Sequence, residues 1–112
     1  MIQDFIIHIH PTGSNYICYP PVTDTDKDWV ALVKPGYTEA LMKGGWSTSP
    51  TDIQYDSMGN FESWRKKTDN LIVTLDSTFY DKFVHATLIA KDLNLLVKED
   101  RIALFQEMLY AS

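Results

Sequence analysis

What most limits how this chain can fold is a single change of hydrophobic period near residue 76. Before that point, short β-branched and aromatic runs alternate with Pro, Gly, Asp and Ser. Beyond it, Phe79, Phe83, Ala86, Ala90 and Leu93 recur at helical spacing, and Ile102, Phe105 and Leu109 do so again. Strands first and helices after predict an α+β fold: a small mixed β-sheet of about four strands with two C-terminal helices packed on one face. At 112 residues and 45% apolar, the chain suits one domain, residues 1–112, with one core.

The strand-rich half divides further. Phe5 to His10 reads as a first strand stopped by Pro11-Thr12-Gly13-Ser14, which delivers the chain into a tight Gly-Ser turn. Asp28 to Val33 is nearly continuous in apolar character, as expected of a central strand covered on both faces. Thr38 to Lys43 predicts a short helix closed by Gly44-Gly45. Residues 46–60 read as an ordered irregular excursion, and Phe61 to Arg65 with Asn70 to Leu75 as a hairpin. Thr78, with Asp81 three residues on, predicts the start of the long helix, and a second helix is expected from about Asp100.

Composition excludes several classes of function. The longest apolar run is Trp29–Val33, far short of the ~20 residues that a membrane helix needs. Duplex DNA binding without sequence preference draws on Lys and Arg, and the net charge here is -5. No export signal is readable, and the lone Cys18 has no internal partner, so a reducing cytoplasm is expected. His8 and His10 would share one strand face, but zinc needs more ligands than that pair, and satisfied histidines are the simpler reading. Trp64 suits burial beside the sheet better than base stacking.

The chemistry concentrates in two short motifs. Asp26-Lys27-Asp28 places carboxylates at i and i+2 of a strand, hence on one face, where like charges repel unless a cation lies between them. Oxygen-only ligands suit a hard divalent ion, Mg2+ or Mn2+. Eleven residues upstream, Gly13-Ser14 can offer backbone amides and a hydroxyl to a phosphate. The register Asp24 and Asp26 is the alternative reading, with Asp26 and Asp28 preferred because Trp29-Val30-Ala31-Leu32 then supplies the strand.

Gly-Ser followed by Asp-x-Asp at this spacing resembles the signature of the DNA polymerase β-like nucleotidyltransferase superfamily. The stretches Phe61 to Lys67, Asn70 to Thr74 and Lys98 to Phe105 are similar to small bacteriophage-encoded proteins of that superfamily, so the resemblance spans nearly the whole chain. It implies transfer of a nucleoside monophosphate from an NTP to an acceptor, with release of pyrophosphate. Asp26 and Asp28 would be metal ligands and catalytic residues, with Asp69 or Asp76 as a third carboxylate and Asn70 at a comparable place. Gly13 and Ser14 would bind the triphosphate, and Arg65 and Lys67 could contact it, although a solvated hairpin explains the charges of that turn as well. Lys27 departs from the family, which usually has an apolar residue there. The partner implied is a nucleotide; the acceptor stays open between a host protein side chain, a tRNA end and a small molecule, and a chain this short leaves its acceptor site to a partner chain or a homodimer. The rival expectation is a binding-only phage protein in the host cytoplasm, docking on a host enzyme or defence complex through an acidic surface.

Overall fold

The computed structural model describes residues 2–19, 27–49 and 61–110. After a 3-10 turn over Ile2–Phe5, the elements in chain order are β1 (Ile6–Thr12), α1 (Ser14–Ile17), β2 (Lys27–Val33), α2 (Tyr37–Lys43), β3 (Ser47–Ser49), β4 (Glu62–Lys66), β5 (Asp69–Thr74), α3 (Ser77–Asp92) and α4 (Lys98–Tyr110). The five strands form one mixed sheet in the order β1-β2-β5-β4-β3. β2 runs parallel to β5, and the other neighbouring pairs are antiparallel. No helix among the described residues is long and apolar enough to cross a membrane.

The α+β architecture stands as expected, with one strand more. Ser47-Thr48-Ser49 has no apolar alternation to mark it, and it becomes a strand by pairing with Arg65-Trp64-Ser63 of β4. β1 also runs through Pro11 to Thr12 instead of stopping before it. Proline has no N–H for a ladder bond, but β1 is the edge of the sheet, where that loss is tolerated. The long helix starts on Asp76, whose carboxylate accepts from the amides of Thr78 (2.9 Å) and Phe79 (3.3 Å), so the capping residue is Asp76 and not Thr78.

Period two in the strands separates two cores. Val30 and Leu32 of β2 face α3 and α4, and join Ile17, Phe61, Phe79, Phe83 and Phe105 in the larger one. Ala31 and Val33, with Trp64, Leu71 and Val73, face the other way under Leu41 of α2 and Ile2 of the N-terminal turn. β2 is therefore covered on both sides, as its apolar run requires. Phe83 anchors the larger core: its ring meets Phe105 edge-on at 4.9 Å between centroids and Phe79 at 5.8 Å. Contacts of this kind add roughly 0.5–1.5 kcal/mol each beyond area burial.

Candidate functional site

The site lies at the end of the sheet where β1 finishes and β2 begins. Gly13 follows Thr12 with φ +78°, a conformation that side chains rarely adopt, and its carbonyl accepts from the amides of Tyr16 and Ile17 to start α1. A second constraint acts on the same residue. A Cβ built on Gly13 would fall 2.1 Å from Asp28 Oδ2 and 2.8 Å from Asp28 Cβ, so the carboxylate occupies the space that a side chain would take. Glycine at 13 is thus required by backbone and neighbour alike.

Asp28 reaches this gap because it is the Cα partner of Thr12 on one side and of Asn70 on the other. Asn70 Nδ2 donates to Asp28 Oδ1 at 2.9 Å. Arg65 is in turn the partner of Asn70, so Thr12, Asp28, Asn70 and Arg65 form one row across four strands on the face that carries α3. Beside the row opens a cleft of about 220 Å³, lined by Pro11, Thr12, Asn15, Tyr16, Lys27 and Asp28.

The row is fixed from below. Thr12 is buried, and its hydroxyl bonds Thr87 Oγ1 of α3 at 2.8 Å; Thr87 in turn donates to the Phe83 carbonyl at 2.9 Å. The α1 segment is tied to the far end of the same helix. Lys91 Nζ donates to the Tyr16 carbonyl at 2.9 Å and lies 4.4 Å from the Tyr16 ring centroid. Asn94 brackets Tyr19, accepting from its N–H at 3.0 Å and donating to its carbonyl at 3.3 Å. Arg101 spans the α3–α4 connection, donating to the carbonyls of Leu95 and Leu96 and touching Cys18 Sγ. Thr12, Thr87, Lys91 and Asn94 carry no local signal in the sequence; distance along the chain hides these pairings.

The residues expected from sequence are not all brought together. Gly13, Ser14, Asp28 and Arg65 lie at this end, with Ser14 as the first residue of α1. Asp69 starts β5 at the same end but is the partner of Lys27 and Lys66, on the Leu71 and Val73 face, because strand side chains alternate. The position opposite Asp28 belongs to Asn70. Asp76 is farther still: Thr74 alone is about 13 Å along β5 from Asn70, and the Asp76 carboxylate caps α3. Lys67 sits at the tip of the β4–β5 hairpin with φ +54° and its side chain exposed. Asp26 lies outside the described residues.

No family model matches the chain, and it matches no curated protein and no solved structure. The site is therefore read from its own geometry.

Among the described residues, no group of three His, Cys, Asp or Glu side chains is gathered to hold a metal. His8 stacks on Tyr80 at 6.0 Å, and His10 meets Tyr16 edge-on at 5.5 Å while its Nδ1 donates to the Pro11 carbonyl at 2.6 Å. Cys18 is buried in the core, and so is Trp64.

A second cleft, about 300 Å³, opens at the opposite end of the sheet among Tyr37, Phe61, Glu62, Thr74, Leu75 and Asp76. Here the Tyr37 hydroxyl donates to Glu62 Oε1, and Trp64 Nε1 reaches the same oxygen at 3.4 Å. Burial first, then the hydrogen bond and charge of Glu62, push the Tyr37 phenol up to about 12.

Proposed function

We propose that the chain is a metal-dependent nucleotidyltransferase-type domain whose nucleotide site lies between the Gly13-Ser14 turn and Asp28. One observation carries the reading: the carboxylate of Asp28 is seated in the gap left by Gly13, which brings a hard anionic ligand against the Gly-Ser turn. Asp28, together with Asp26 two residues before it, would hold Mg2+ or Mn2+. When bound, the ion neutralises charge that grows on the phosphates during in-line displacement.

The chain's own groups then have distinct tasks. Gly13 and Ser14 hold the triphosphate tail by backbone amide and hydroxyl. The Thr12–Thr87 bond keeps that turn in register with β2. An acceptor oxygen bonds to the α-phosphorus as the bond to pyrophosphate breaks, and the acceptor proton leaves to solvent. The contribution of the protein is positioning and electrostatics.

Asn70 favours a second reading. A neutral amide stands where a third carboxylate was expected, so no described side chain facing Asp28 across β5 can take the acceptor proton. The alternative is a relative that binds nucleotide, or a host protein, without turnover. Thermal melting with Mg2+ and NTP tests the site: both together should raise the midpoint by mass action. Asp26→Asn with Asp28→Asn should abolish that shift and leave the apo protein folded. A shift that survives the double substitution overturns the proposed site. Transfer of α-labelled nucleotide to acceptors in a lysate separates turnover from binding.

A further inference from the structure

β1 is one edge of the sheet, and it is an uncharged edge on an acidic chain. Its seven residues, Ile6–Thr12, include no Asp, Glu, Lys or Arg, whereas the whole chain carries a net charge of -5. Ile7 and Ile9 are 46% and 47% exposed on it. Edge strands are ordinarily blunted by charge or by brevity, because their outer N–H and C=O groups invite another strand. The opposite edge follows that rule: β3 is three polar residues, Ser47-Thr48-Ser49.

The backbone places the open groups. Pro11 has no N–H, so the bonded pairs of the β1–β2 ladder are those of its neighbours, His10 with Val30 and Thr12 with Asp28. Alternation then turns the N–H and C=O of Ile9 away from β2 and out of the edge. We infer that β1 is the seam of a two-fold dimer, in which a second copy of this chain adds its own β1 antiparallel about Ile9 and the two sheets become one. The two Ile9 residues exchange both backbone bonds across the axis. Two positions of β1 are irregular, the bulge between Ile6 and His8 and the proline at 11. A pairing centred on Ile9 sets Ile7 of one copy opposite Pro11 of the other, so the irregular positions meet each other and spoil no regular pair.

Charge favours a copy over an unrelated segment. Two acidic molecules meet with least repulsion where neither carries charge, whereas a basic partner would be drawn to carboxylates that β1 does not have. β3 is too short to receive β1 in turn, so the contact closes at two copies and does not propagate. One short strand per copy makes a seam below the standard interface of about 1,600 Å², so the dimer dissociates on dilution. This inference is independent of the nucleotide site proposed above.

Sedimentation equilibrium of the full chain over a wide range of concentration should show a monomer–dimer equilibrium. Ile9→Lys sets like charges directly opposite each other and should weaken it about tenfold or more; Thr48→Lys, on the other edge, should leave it unchanged. Disulfide formation under oxidised glutathione reads the register. Cα atoms of a bonded pair lie about 5.5 Å apart, within disulfide reach, so Ile9→Cys should give linked dimers. Ile7→Cys, offset from its own copy by about 14 Å along the strands, should not, and Cys18 is buried away from the seam. A monomer at every concentration overturns the inference and leaves the edge to a segment of another protein. Association that survives Ile9→Lys, that is weakened by Thr48→Lys, that passes beyond the dimer, or that links at residue 7 in place of 9 overturns it too. Circular dichroism shows whether Ile9→Lys folds; if it does not, the wild-type equilibrium and the two cysteine variants decide.

Discussion

The two ends of the sheet each gather acidic side chains, and they use them differently. At the far end, Asp76 is consumed by the amides that start α3, and Glu62 accepts from both Tyr37 and Trp64. Those carboxylates stabilise local structure. At the near end, Asp28 shares one oxygen with Asn70 and points the other into a glycine gap beside a cleft. A carboxylate that caps a helix or anchors a phenol shapes local structure; the one seated against the glycine turn is where the nucleotide site is proposed.

Three substitutions sharpen this contrast. The largest effect is expected for Gly13→Ala, which combines positive φ with a collision at 2.1 Å. A loss of about 2–4 kcal/mol in urea unfolding follows from strain and overpacking together. Gly45→Ala is the control: φ is +87°, but the nearest atom is Lys66 Cε at 3.6 Å, so only the backbone cost of about 1–2 kcal/mol is expected. Equal losses at the two glycines would mean that Asp28 does not fill the gap. At the far end, Asp76→Ala should cost about 1 kcal/mol through the lost cap and leave any nucleotide-dependent melting shift unchanged. A diminished shift would place Asp76 in the site after all.

The smallest effect is pH-dependent. Tyr37 has its folded pKa raised from 10.0 to about 12, so folding favours the protonated phenol. That stabilisation is complete below pH 10 and is lost as pH climbs towards 12. Tyr37→Phe should lose less than about 1 kcal/mol at neutral pH, and its stability should fall less than that of wild type across that alkaline window. Parallel curves for the two proteins would refute the Tyr37–Glu62 coupling.

Much of the architecture is legible because it is written in local pattern. The run Trp29-Val30-Ala31-Leu32-Val33 marks a strand buried on both faces, and Phe79, Phe83, Ala86 and Ala90 mark the helix that covers it. Gly13 announces itself as a turn. The third position of the site is not legible, because it depends on how β5 registers against β2. A slip of one residue would set Asp69 opposite Asp28 in place of Asn70, and nothing within either strand's own sequence forbids it. The choice is made by packing: Leu71 and Val73 fill the core under α2, and their alternation sends Asn70 to the Asp28 face. The Thr12–Thr87 bond joins residues 75 apart and is invisible for the same reason.

Lys91 in the last turn of α3 and Asn94 just past its C-cap grip the backbone beyond the glycine turn. The turn is therefore not an independent loop, and the junction between the final two helices acts as its hinge post. Fraying of that junction should accelerate amide exchange at Tyr16 and Ile17, so a disturbance at the C-terminal half would be felt where the first strand ends.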